Sequence, residues 1–193
     1  MPATAKRADA RRNVAAILAA ARACLARDPA ASVADIAKAA GVGRVTLYGH
    51  FPSRAELVDA VFARTIAEAE ETLEAVDLAG RPADALARLV ASSWRIVHEF
   101  RTLLLAAQRE LPAERIRDHH TRPMHRVERL VQRGRQEGAF RTDLPTSWLV
   151  AVFYNVIHGA ADELNAGRLT ADEAARAITA TLLAAYAPYP EGV

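Results

Sequence analysis

The 193 residues, 51% hydrophobic and 25% charged, have the make-up of a globular chain with room for one large or two small cores, which excludes disorder throughout. The net charge of +2 is unevenly spread, with 10 basic against 5 acidic residues up to Arg64 and 15 against 18 beyond it. No stretch approaches the ~18 or more uninterrupted apolar residues of a membrane span, and the single cysteine, Cys24, excludes an intrachain disulfide.

From the start of the chain, Met1 to Ala10 is polar, carries lysine and arginine, and has no periodicity. It is expected to be a loose arm, either touching a nucleic acid or simply frayed. Val14, Ile17, Leu18, Ala21 and Leu25 then recur at helical spacing up to Asp28-Pro29, which ends a first helix. The run Val14 to Ala21 after Arg11-Arg12 imitates a secretory signal. Arg22 and Arg27 interrupt it and no clear cleavage site follows, so a soluble, cytoplasmic protein is expected. Cys24 sits among apolar residues and reads as buried packing in a reducing compartment.

Ser32 followed by Asp35 has the form of a capping box, in which the serine oxygen accepts from an amide of the first turn and the carboxylate suits the positive helix end. A short helix is therefore predicted from Val33. Gly41, directly after Ala39 and Ala40, stops it with a left-handed residue, and Val42 to Tyr48 supplies about two turns of a second helix. Ile36, Ala40, Val42 and Leu47 are spaced to meet inside the angle between the two, with Ala37 small where the backbones approach. Arg44, Thr46, Tyr48 and His50 are left facing outward. An arginine pairs with a guanine edge while hydroxyls and an imidazole donate to phosphates, so that set suits DNA. The basic surplus of the same segment is the matching electrostatic footprint. With the first helix packed behind it, the hairpin makes a three-helix core of only about 50 residues, which needs support from a following helix.

Thr46-Leu47-Tyr48-Gly49-His50-Phe51, followed by Ser53-Arg54 and Leu57, closely resembles the segment that closes the DNA-binding domain of tetracycline-repressor-type (TetR-type) transcriptional regulators. The resemblance implies an all-α fold. An N-terminal three-helix helix-turn-helix DNA-binding domain would occupy residues 11–57, with its last helix continuing to about residue 76, and a helical effector-binding and dimerisation domain would occupy 77–193. It also implies a ligand-responsive regulator, by default a repressor, that binds a palindromic double-stranded operator as a dimer and is released by a small molecule. Matched position by position, Arg44 is the candidate base reader and Val45 a candidate contact to a thymine methyl. Ser32, Thr46, Tyr48, His50 and Arg54 complete the DNA-binding set, chiefly at phosphates. For Tyr48 and His50 a second reading stands, that they brace the hairpin. Gly43 and Gly49 stand at the two ends of a very short recognition helix, and Gly49 replaces a side chain that is often larger in the family.

The next helix opens at Ser53-Arg54-Ala55-Glu56, a second capping box after Pro52. Leu57, Val58, Val61, Phe62 and Ile66 form its apolar face, and Glu68, Glu70, Glu71 and Glu74 make its later part acidic. Asp77 to Pro82 is a linker, broken by Gly80 and Pro82. A helix bearing Leu86, Leu89, Val90, Trp94, Val97 and Phe100 follows, then a short piece with Leu103 to Leu105, then Pro112. From Glu114 an arginine-rich stretch with His119, His120, Pro123 and His125 runs to Gly134 and Gly138, and its proline interruptions leave room for a pocket. Asp143 to Pro145 enters a helix dense in Leu149, Val152, Phe153, Val156 and Ile157. Thr170 and Glu173 form a third capping box, opening a helix through Ala174, Ile178, Leu182 and Leu183 to Tyr186. Helices apolar almost all round need further partners. The resemblance implies that these last two pair with their copies in a homodimer; a monomer covering them internally is the alternative.

Trp94, His98, Phe153, Tyr154, Asn155 and His158 combine aromatic bulk with polar tips on helices that in the family surround a pocket, and they are the effector-binding candidates. Ordinary packing accounts for each of them singly as well. His119, His120 and His125 raise the idea of a metal site, but no matching Cys, Asp or Glu completes a ligand set, and neither a metal nor a cofactor is expected. There is no activated-nucleophile pattern, glycine phosphate cradle or pair of catalytic carboxylates. The chain is read as a non-enzyme, with a metal-assisted helical enzyme and a protein-interaction module as alternatives.

Overall fold

The computed structural model describes the backbone of residues 2–188 and the side chains of residues 9–188. Across them the regular structure is helical: α1 (Pro2–Arg27), α2 (Val33–Ala39), α3 (Arg44–His50), α4 (Arg54–Glu74), α5 (Pro82–Glu99), α6 (Arg101–Glu110), α7 (Ala113–His119), α8 (Thr121–Gln136), α9 (Thr146–Asn165) and α10 (Ala171–Tyr186). The all-α expectation holds. The stretch expected as a loose arm is instead the first turns of α1, except Met1, which lies outside the described residues. No helix among the described residues is long and apolar enough to cross a membrane.

The chain clusters into two compact units, one of residues up to Ala67 together with Phe100–His119, the other of Glu68–Glu99 together with the residues from His120 onward. The sequence placed everything after residue 76 in a second domain, whereas α6 and α7 belong to the first unit. The reason is apolar burial. Leu103, Leu104, Ala106 and Ala107 of α6 and Ile116 of α7 enter the same core as Ile17, Leu25, Ile36, Leu47 and Leu57. The support that a small three-helix core requires thus comes from the start of α4 and from α6, which packs along α1.

The arginine-rich stretch is divided at His120 into α7 and α8, not continuous. Pro123 sits in the first turn of α8, where its missing N–H leaves no helical bond unmade.

In the second unit, α5 packs against α8, α9 and α10, and α9 also packs on both α8 and α10. Thr170 caps α10 as expected, accepting from the Glu173 amide at 3.3 Å while the Glu173 carboxylate accepts from the Thr170 amide at 2.8 Å. Tyr186, fully buried at the end of α10, donates its hydroxyl to the Leu149 carbonyl at 2.7 Å. Burial pushes its phenol well above the ordinary tyrosine pKa. The ring of Phe140 meets Tyr186 edge-on, with centroids 5.4 Å apart, and its other side lies against Gly134 of α8.

Gly134 is a glycine for want of space. A Cβ there would overlap the Phe140 ring, coming within 2.7 Å of its Cγ. Gly134→Ala is expected to destabilise the second unit by about 1–3 kcal/mol, the usual cost of overpacking a core. Chemical denaturation followed by the fluorescence of Trp94 and Trp148 reads this directly, and an unchanged midpoint would contradict it.

Candidate nucleic-acid interface

Local devices fix both ends of α2, and the one at its C-terminal end sets how the chain turns into α3. Ser32 is the N-cap of α2, its Oγ accepting from the Asp35 amide at 3.2 Å while the Asp35 carboxylate accepts from the Ser32 amide at 3.2 Å. Those serine contacts hold the Asp35 carboxyl below its usual pKa. At the other end Gly41 adopts φ +69°, its amide donating to Lys38 O at 3.2 Å and the Val42 amide to Ala37 O at 3.0 Å. This is a Schellman turn, which satisfies carbonyls at the helix end and fixes where the chain leaves it.

A seven-residue helix is not stable in isolation, and α3 is held by what it buries. Leu47 is fully buried and Phe51, just beyond its end, is buried too. On the remaining faces Arg44 and Thr46 are exposed, Val45 is 88% exposed and Tyr48 47% exposed, with His50 half-buried. The structure therefore brings Arg44, Val45, Thr46 and Tyr48 together on one short, solvent-facing helix. Ser32 is exposed, but its hydroxyl is engaged in the capping box.

Arg54 departs from the expected set. Its guanidinium turns into the first unit, donating to the Glu110 carboxylate and the Pro29 carbonyl, each at 2.8 Å, and to the Ala31 carbonyl. All of this fastens α4 to the α1–α2 turn and to α6, so in this structure the Arg54 side chain is engaged within the first unit, behind the outward face of α3. A second tie lies further along α4. The Asp59 carboxylate accepts from Arg115 Nε at 2.9 Å and Arg115 Nη2 at 2.8 Å, and His119 Nε2 lies 2.8 Å from its Oδ1. Arg115 holds the Asp59 carboxyl below its ordinary pKa, outweighing partial burial, with His119 adding to the effect.

The effector candidates all fall in the second unit, in distinct groups. Trp94 is buried and stacks with His98 one turn later, at 5.8 Å between centroids. Tyr154 and His158 stack at 4.1 Å, and His158 Nδ1 donates to the Tyr154 carbonyl at 2.9 Å. Buried His120 meets both rings edge-on, at 5.2 and 5.0 Å. Phe153 is core, and Asn155 is exposed on α9. Sequence reasoning connected His120 with a metal, not with these rings, and had no signal for its burial beside α9. The three histidines of that idea go separate ways: His119 to Asp59, His120 to the ring cluster, and His125 to Glu128 at 3.2 Å on exposed α8 surface. No group of three or more His, Cys, Asp or Glu able to hold a metal occurs among the described residues. A part-buried ion pair also went unforeseen, between Arg126 Nη2 and Glu70 Oε1 at 3.3 Å.

Comparison with known proteins gives a family match within the first unit and a likeness of fold over most of the chain. Residues 17–61 match the family model described as bacterial regulatory proteins, tetR family. Over 78 residues the chain is 40% identical to the HTH-type transcriptional repressor LfrR of Mycolicibacterium smegmatis, a stretch covering 40% of this chain and 41% of that repressor's length. Among solved structures, the TetR-like regulator LfrR from Mycobacterium smegmatis in complex with proflavine superposes with a TM-score of 0.67 at 24% identity, over 91% of this chain and 96% of that one. The transcriptional regulator FadR from Bacillus subtilis in complex with stearoyl-CoA gives a TM-score of 0.72 at 17% identity, over 88% and 97%. At those identities the likeness is one of fold.

Two outcomes follow from the ties behind the interface. Arg54→Ala leaves the Glu110 carboxylate and two carbonyls without their donor, and is expected to cost the first unit about 1–3 kcal/mol in a denaturant titration. The depressed pKa of Asp59 gives a contribution that is complete above the ordinary carboxylate pKa of about 4 and is lost as pH falls through the lower folded value. Stability measured between about pH 2 and 4 is therefore expected to fall less steeply with acid in Asp59→Asn than in the wild type. Equal slopes would show that Asp59 is not held this way.

Proposed function

We propose, from the premise that residues 17–61 are a regulatory domain of the tetR family, that the chain is a ligand-responsive transcriptional regulator that binds operator DNA as a dimer. The observation that carries this is the outward face of α3. Arg44, Val45, Thr46 and Tyr48 project from a helix whose opposite side is fixed in the core by Leu47. A guanidinium, an aliphatic group and two hydroxyls so placed suit the base edges and phosphates of a major groove. In this reading Arg44 and Val45 read bases, while Thr46, Tyr48 and the half-buried His50 hold phosphates.

One such helix offers few contacts, and two related by a two-fold axis grip successive grooves about 34–36 Å apart. A homodimer through α9 and α10 is accordingly part of the proposal. Trp148 at the start of α9 is 55% exposed, and Val152 and Val156 along the same helix stay only half-buried, an apolar stripe for a second copy to cover. The effector is proposed to be a small molecule that meets the aromatic and imidazole groups of the second unit. The proflavine and stearoyl-CoA complexes of proteins with this fold support that class. Its message would travel along α4, whose residues up to Ala67 belong to the first unit and from Glu68 to the second. A small tilt of one rigid helix changes the spacing of two readers without unfolding either. Repression in the cytoplasm is the default outcome, since a dimer seated on a promoter obstructs polymerase.

Gel-shift titration against the DNA upstream of the protein's own gene tests the reading. Binding is expected to exceed that to random duplex and to weaken steeply as salt rises, because phosphate contacts release counterions. Arg44→Ala is expected to alter sequence preference, and Thr46→Ala to weaken binding to all sequences about evenly. No preference over random duplex would overturn the proposal, and the reverse pattern in the two variants would overturn the roles given to them.

A further inference from the structure

Gly49 occupies a place on α3 for which the protein itself supplies no reason. Its backbone is helical, and it is absent from the positive-φ glycines Gly41, Gly80, Gly138 and Gly167. It is exposed, and a Cβ added to it would meet nothing within 4 Å. Neither conformation nor internal packing calls for glycine there, while helix propensity favours almost any other residue. A glycine without an internal cause is a place where something external comes close to the backbone.

The position on the helix says what that is. At about 100° per residue, Val45 and Gly49 each lie roughly 160° round from the buried Leu47, one turn apart, on the crest of α3 farthest from the core. Thr46 and Tyr48 flank that crest. Its two positions present an isopropyl group, 88% exposed, and a bare Cα. Neither offers a side-chain donor or acceptor, so hydrogen-bond readout is closed to them. The apolar group on the floor of a major groove is the thymine methyl.

We propose that Gly49 is a specificity-determining residue, whose missing side chain lets α3 seat deeply enough in the major groove for Val45 to pack on a thymine methyl. This rests on the DNA-binding reading above and extends it to a residue that makes no side-chain contact of its own. A methyl at position 49 would hold the crest off the groove floor and cost the sequence-selective contact, while leaving the phosphate contacts of the flanks largely in place.

The test uses the full chain and the duplex that it enriches from a random-sequence pool. Gly49→Ala is expected to raise the thermal midpoint of the free protein by about 2 °C, since alanine suits a helix better. It is expected to lower affinity for the enriched duplex by about tenfold or more, with binding to random duplex nearly unchanged. Replacing half-site thymines one at a time by uracil, which lacks the methyl, should weaken the wild type at one position and leave Val45→Ala indifferent there. A lowered midpoint in Gly49→Ala would mean that the fold needs the glycine and would overturn the proposal. So would wild-type affinity of that variant for the enriched duplex, or a half-site in which no thymine methyl matters. A pool from which the wild type enriches nothing would instead bring down the DNA-binding reading, and this proposal with it.

Discussion

The guanidinium of Arg54 is where three separate stretches of the first unit are fastened together: the turn after α1 through Pro29 and Ala31, the start of α4, and α6 through Glu110. A core of this size buries too little surface to fix helix angles by hydrophobic contact alone. A planar donor taking two carbonyls and a carboxylate adds what close packing does not, a defined direction for each partner. The frame matters because α3 has no rigidity of its own. Seven residues with one fully buried side chain stay where the Schellman turn at Gly41 and the burial of Leu47 and Phe51 put them. An exposed helix can present Arg44 and Val45 to a partner reproducibly only if everything behind it is immobile.

Local signals carried most of the fold into the sequence. Capping boxes at Ser32/Asp35 and Thr170/Glu173 are decided by residues three apart, and the left-handed turn at Gly41 by a single residue, so each could be read without knowing the tertiary structure. What could not be read is whatever depended on distant partners. Arg54 stands in a motif position that suggests a phosphate, yet its acceptors lie 23 and 25 residues earlier and 56 later. The same separation joins Asp59 to Arg115 and draws α7 into the first unit. The outward residues of α3 were legible because exposure there follows from the 3.6-residue period. Gly49 was visible as a departure in size, but that the space around it is open required coordinates.

In the second unit, residue type was legible and grouping was not. Trp94 with His98 and Tyr154 with His158 are each four apart on one helix, a spacing that places rings one above the other. His120 joins the second pair only because the chain breaks at the end of α7 and begins a new helix immediately. Three imidazoles that look like a cluster on paper are dispersed by that break, and it sets His119 and His120, adjacent in sequence, to different tasks in different units.

Helix α4 carries two carboxylates, Asp59 and Glu70, eleven residues apart, which at 3.6 residues per turn puts them on nearly the same side of the helix. Each is gripped by an arginine, Asp59 by Arg115 within the first unit and Glu70 by Arg126 within the second. The grips differ in quality. Both oxygens of Asp59 are taken, one by Arg115 and His119 together and the other by Arg115. The Glu70 pair rests on one contact of 3.3 Å, and Glu70 Oε2 and Arg126 Nε are buried without hydrogen-bond partners. A buried ion pair is stable only when its remaining donors and acceptors are also satisfied, so the second pair recovers little of what its desolvation costs. One helix is thus held tightly at its turns in the first unit and loosely at the turns that share a unit with the aromatic and imidazole groups. A polar group arriving in that unit could re-pair Glu70 or Arg126 at little net cost. The same exchange at Asp59 would have to break three satisfied contacts.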